Sequence, residues 1–119
     1  MPPLFKKISG TVIRGAQKGT ELGFPTANIK IENEDLRGIY AGQAKVNGKN
    51  YLAAIYIGEK QKILEAYLLD FSEDIYGQVL EVTIEQKIRE DRKFENQSDL
   101  LETITRDIKV VRDFYAKKP

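Results

Sequence analysis

Four glycines, Gly10, Gly15, Gly19 and Gly23, lead into Phe24-Pro25-Thr26-Ala27-Asn28. Glycines at such intervals let a backbone approach phosphates with no Cβ in the way. Lys18 sits among them as a positive charge. Gly10 and Gly15 have the spacing of a P-loop, but Ala16-Gln17 stands where that motif needs Lys-Ser/Thr, so a P-loop is excluded. A surface loop after a bent strand accounts for the same glycines without any ligand. Thr26 and Asn28 flank one residue, so in an extended segment both side chains point the same way. Their oxygens are hard donors of the kind magnesium takes, alongside water and nucleotide phosphates. A Thr/Asn turn bonded to its own backbone would use the same two residues. Pro25 stiffens the entry to this pair.

Glu65 is the one acid inside the apolar run Ile63-Leu64-Glu65-Ala66-Tyr67-Leu68-Leu69. A carboxylate there is costly to bury unless it is paired, hydrogen-bonded or used as a base. The bland alternative is a rim residue that reaches water. Arg89-Glu90-Asp91-Arg92-Lys93-Phe94 could grip phosphate and stack a ring, or could be a solvated charge run. The chain has no histidine and no cysteine. Disulfides, thiolate chemistry and the commonest zinc ligand are therefore absent, and acid–base work must rest on a carboxylate, lysine or tyrosine. Lysine and arginine number 19 against 18 acids, a balance that argues against nucleic acid or an anionic membrane as the main partner. No apolar run reaches transmembrane length and the N-terminus has no signal-peptide core, so the expectation is a cytoplasmic protein.

These residues need a frame. The 119 residues suffice for one domain, expected over 1–119, and 41% are hydrophobic, enough for a core. Strands are predicted over Phe5–Arg14, bent at Gly10, then Ile39–Val46, Tyr51–Ile57, Ile63–Leu69 and Val79–Ile88. Asn47-Gly48 is the strongest hairpin signal, because both residues tolerate the positive φ of a type I′ turn. Ile63–Leu69 is apolar at both parities and is expected to be buried on both faces. On the last strand Leu80, Val82, Ile84 and Ile88 share one face. Leu100, Leu101, Ile104, Ile108, Val111 and Tyr115 then recur at helical spacing over about 97–116. Asn96 or Ser98 can cap this helix, Asp99 and Glu102 suit its positive end, and Lys117 and Lys118 its other end. Short strands followed by one helix indicate a closed or nearly closed antiparallel barrel, with the helix on its outside or across one end.

Taken together these residues resemble the riboflavin kinase family. The resemblance rests on Gly10, Gly15, Gly19 and Leu22-Gly23-Phe24-Pro25-Thr26-Ala27-Asn28, then Gly38-Ile39-Tyr40. It continues through Glu65 with Leu69-Asp70-Phe71 and Asp74-Ile75-Tyr76-Gly77, and through Arg89, Lys93-Phe94, Leu100, Ile104 and Asp107. It implies a six-stranded antiparallel Greek-key barrel with a C-terminal helix. It implies phosphorylation of riboflavin by ATP with magnesium or another divalent cation, giving FMN and ADP. It implies that Thr26 and Asn28 help hold the metal and that Glu65 is the base for the ribityl 5′-hydroxyl. It assigns Gly15, Lys18, Gly19, Thr20, Gly23 and Pro25 to the nucleotide, and Arg89, Asp91 and Phe94 to the flavin.

The chain departs from the family at Tyr56-Ile57-Gly58, where Asn-Ile-Gly and a longer loop are frequent. It departs also at Asp91 for glutamate, Tyr67 for histidine and Lys18 for arginine. In bifunctional relatives a second, histidine-containing nucleotidyltransferase domain adenylylates FMN. With no histidine and no room for that domain, this chain is expected to stop at FMN; separately, a monomer is expected. Two other readings stand beside this one: a non-catalytic flavin- or nucleotide-binding barrel, and a kinase for another small polyol.

Overall fold

A computed structural model describes residues 6–14, 23–32 and 34–117. Six strands precede one helix: β1 (Lys6–Thr11), β2 (Ala27–Lys30), β3 (Gly38–Val46), β4 (Lys49–Ile57), β5 (Ile63–Leu68), β6 (Val79–Arg89) and α1 (Gln97–Ala116). They form one sheet in the order β1-β6-β3-β4-β5-β2, with every pair antiparallel. An Ile13–Asn28 bridge, its Ile13 N–H on Asn28 O at 2.8 Å, brings the two edges together and nearly closes the barrel. The expected barrel with a C-terminal helix is the observed fold. Among the described residues no helix is long and apolar enough to cross a membrane.

The barrel core is built from alternate residues of the strands. Ile29, Ile55, Leu64, Leu80, Val82 and Ile84 are fully buried there. Asn47 and Gly48 adopt φ of 53° and 78°, the turn that two-residue hairpins between twisted strands prefer. Helix α1 lies on the outside. Ala41 of β3 and Ala54 of β4 face each other in register and are both 0% exposed. Their small side chains let Val111, also 0% exposed, seat against the sheet. Burying that valine contributes about 1.5–3 kcal/mol. Asn96 is the N-cap, its side chain accepting from Asp99 N at 2.8 Å. Lys117 closes the helix through its backbone N–H, which donates to Asp113 O at 3.2 Å. Lys118 lies outside the described residues.

The six strands that the resemblance implies are present, one of them missed by the hydrophobic pattern, and two expectations are corrected. The hydrophobic pattern yields five strands, and the sixth is β2, only four residues long. That is too short for its own periodicity to show. Strand β5 is buried on one face only: Leu64, Ala66 and Leu68 enter the core, while Ile63, Glu65 and Tyr67 are half-buried. Its outer face is roofed incompletely, and the opening there is the cleft described below. Finally, Ile88 does not share the face of Leu80, Val82 and Ile84. The β3–β6 register shifts between Ala41 and Gly42 and again between Ile39 and Tyr40. Each extra residue of a bulge reverses the side-chain parity beyond it. Glu85 faces outward by ordinary alternation, where Tyr115 and Gln43 donate to it at 2.7 and 2.8 Å; the shift beyond it brings Ile88 to that outer side, against α1. Gly42 makes the first shift possible, because a Cβ there would stand 2.2 Å from Thr83 O.

Candidate active site

The ladder registers set the site. Asn28 of β2 pairs with Glu65 of β5, Glu65 with Tyr56 of β4, Tyr56 with Ile39 of β3, and Ile39 with Arg89 of β6. Directly paired residues project to the same side of a sheet. These five therefore form one row across the outer face of the barrel, with α1 standing over its Arg89 end. Glu65 sits in the row between an amide and a phenol.

Two openings flank the row. The larger, about 600 Å³, is lined by Thr26, Tyr56, Glu65, Arg89, Asp91 and Phe94, among others. The smaller, about 270 Å³, is lined by Arg14, Pro25, Thr26, Asn28, Phe71 and Tyr76, among others. Thr26 lines both. Its Oγ1 donates to Glu65 Oε1 at 3.2 Å, and its carbonyl accepts from Asn28 Nδ2 at 3.3 Å. Asn28 is only 4% exposed, so its amide is held in place. Phe24 packs edge-to-face on Tyr67, ring centroids 5.5 Å apart, and walls the larger cleft beside Glu65.

At the other end of the larger cleft, Arg89 is gripped by Asp107 of α1: Nε and Nη2 each donate to a carboxylate oxygen at 2.8 Å. The Asp107 carboxylate raises the guanidinium's affinity for its proton. The Tyr56 hydroxyl is buried with no hydrogen-bond partner among the described residues. Burial pushes this phenol above its ordinary value, and the charge of Asp107 adds to the shift, so Tyr56 stays a neutral O–H. Arg92 lies over the Phe94 ring at 4.6 Å and is anchored to Asp99 and Thr103. Phe94 thus presents an apolar, half-buried surface to the cleft.

The structure brings Thr26, Asn28 and Glu65 together at one end, and Arg89, Asp91 and Phe94 at the other. Pro25 lines the smaller opening. Gly23, at φ 89°, lines neither of the two and takes the left-handed turn that glycine favours. Gly15, Lys18, Gly19 and Thr20 lie outside the described residues. Sequence reasoning names Tyr56 and Tyr67 only as departures from a pattern, and gives Asp107 no part in the site. Cross-strand neighbours cannot be read until the register is known. Among the described residues no three His, Cys, Asp or Glu side chains gather to hold a metal. A cation beside Thr26 and Asn28 would therefore be completed by phosphate and water oxygens, which suits magnesium.

Residues 4–115 match the family model described as Flavokinase: Riboflavin kinase. The chain is 43% identical over 112 residues to the RNA-binding riboflavin kinase RibR of Bacillus subtilis, covering 87% of this chain and 49% of that protein. It is 37% identical over 119 residues to the bifunctional riboflavin kinase/FMN adenylyltransferase of Listeria monocytogenes, covering 91% of this chain and 38% of that protein. Among solved structures, the riboflavin kinase of Trypanosoma brucei superposes with a TM-score of 0.73 at 27% identity, covering 98% of this chain and 83% of that one. The chain thus spans half or less of these two curated relatives.

Proposed function

The chain belongs to the riboflavin kinase family, and on that premise we propose that it transfers the γ-phosphate of ATP to the 5′-hydroxyl of riboflavin, giving FMN and ADP. The observation that carries this reading is the position of Thr26 between two openings, one larger and walled by aromatic side chains, one smaller and beside Asn28. A two-substrate transfer needs its acceptor and donor to meet at one point. The larger cleft suits the flavin ring, against Phe94, Arg89 and Asp91. The smaller suits the phosphates, with Gly15, Lys18, Gly19, Thr20, Gly23 and Pro25 as the nucleotide-binding segment.

Glu65 faces the meeting point. It takes the proton of the ribityl hydroxyl as that oxygen bonds to the γ-phosphorus, and the bond to the β–γ bridging oxygen breaks to release ADP. A divalent cation held by the oxygens of Thr26 and Asn28 would supply neutralisation of the phosphate charge. Thr26 can donate to Glu65 and still offer lone pairs to a cation. Thr26 thus couples the other two, Glu65 through its hydroxyl and Asn28 through its backbone carbonyl.

The test is incubation of the chain with riboflavin, ATP and magnesium, followed by chromatography of the flavins. FMN without FAD is the expected product. Folded protein that binds riboflavin and forms no FMN with any divalent cation would make the chain a flavin-binding module instead.

A further inference from the structure

Helix α1 places one carboxylate beneath the wall of the larger cleft. Asp107 is 2% exposed and is not among the residues that line the cleft. Both of its oxygens accept from Arg89, which does line it. The remaining terminal nitrogen of Arg89, Nη1, donates to Glu90 O at 2.9 Å. All three guanidinium nitrogens are thereby tied, and the planar group is fixed before any ligand arrives.

We infer that Asp107 is a positioning residue for the acceptor: by gripping Arg89 it presets the guanidinium against which the flavin docks, and so sets affinity for riboflavin without touching it. The inference rests on the riboflavin reading of this cleft. Three observations support it. Arg89 ends the cross-strand row that begins at Asn28, so its side chain leaves the same face of the sheet as Glu65, and both line the larger cleft. A bidentate arginine–carboxylate pair fixes a plane, which a single contact would not. Joining helix to barrel does not require the pair, because Val111 is already fully buried against Ala41 and Ala54. A buried ion pair is also a poor source of net stability compared with apolar side chains of similar volume.

An arginine that must be ordered on binding lowers affinity by roughly two- to twelvefold. Asp107→Asn keeps the shape and loses the charge. Its riboflavin affinity, read by quenching of flavin fluorescence, and its riboflavin KM should worsen by that factor, with kcat and the KM for ATP unchanged. The double substitution Arg89→Met, Asp107→Leu replaces the pair with apolar volume. It should unfold cooperatively near the parent Tm and still bind riboflavin at least as weakly as Asp107→Asn. Parent-like riboflavin affinity in Asp107→Asn, or in the folded double variant, overturns the inference. So does loss of folding in both, which would make the pair structural. A parent that binds riboflavin but makes no FMN defeats the kinase reading alone, and the affinity comparison still decides the part played by Asp107. A parent that binds no riboflavin defeats both.

Discussion

Thr26 Oγ1 donates a hydrogen bond to Glu65 Oε1 at 3.2 Å, joining residues thirty-nine positions apart in the chain. A hydroxyl that gives its proton to a carboxylate keeps its lone pairs for another partner. The bond therefore ties the group that would accept a proton to the group that would meet a cation.

Glu65→Gln keeps the side chain's size and removes its basicity. General-base assistance is typically worth about a hundred- to ten-thousand-fold. Steady-state kinetics should show kcat lowered within that range, with riboflavin and ATP affinities little changed. Near-normal turnover would move the proton to another group. The variant should remain folded, because Glu65 is half-buried and the barrel core lies on the opposite face of β5.

Thr26→Ala and Asn28→Ala should each raise the magnesium and ATP concentrations required for half-maximal rate. Riboflavin affinity should change less than these, least in Asn28→Ala, since Asn28 lines only the smaller of the two openings while Thr26 lines both. Thr26→Ala also removes the hydrogen bond to Glu65, so it should lower kcat more than Asn28→Ala. Metal-dependent ATP binding unchanged in both variants would remove the two residues from the metal site.

Gly42→Ala should destabilise the fold by about 1–3 kcal/mol or more, the ordinary cost of forcing atoms into a packed site. The added carbon would meet Thr83 O at 2.2 Å and Ile55 Cδ1 at 2.5 Å. One is backbone and the other is core, so neither can yield cheaply. Chemical denaturation should give a lower midpoint, and an unchanged midpoint would mean that the bulge relaxes.

Tyr56 and Tyr115 both hold their protons more tightly than a free phenol, each chiefly through burial, with Glu85 accepting from Tyr115 as the next cause. As pH rises through about 10, the unfolded chain loses these protons while the folded chain keeps them. The unfolded state then binds fewer protons, so stability must fall with rising pH. Denaturation midpoints compared at about pH 8 and about pH 11 should show a smaller fall for Tyr56→Phe and Tyr115→Phe than for the parent. An identical fall would mean that these phenols titrate alike in both states.

Much of this frame is legible in the amino-acid sequence. The Asn47-Gly48 hairpin, the strands around it, the Asn96 cap and the extent of α1 follow from local chemistry, and local chemistry is written in neighbouring residues. The family resemblance supplies the sixth strand. What cannot be read depends on register. The parity change at Glu85 follows from a bulge, which leaves no trace in hydrophobic period until Ile88 is found on the wrong face. The pairing of Asn28 with Glu65 needs β2 beside β5, a long-range contact that neither segment announces. Asp107 belongs to the resemblance, but nothing local to the helix gives it a role, and only its burial and its grip on Arg89 do so.

The row from Asn28 to Arg89 crosses five strands whose separations are set by backbone hydrogen bonds. Four strand spacings of about 4.8 Å make a path of roughly 19 Å along the sheet. Loops at the barrel ends can lengthen or shrink without altering it. The site is in this sense a gauge with fixed graduations, Glu65 marking one and Arg89 another. A flavin analogue whose side chain is one carbon longer or shorter would place its terminal hydroxyl off the Glu65 mark while its ring still rested at the Arg89 end. Tolerance to ring substitution and intolerance to chain length should therefore part company in this protein.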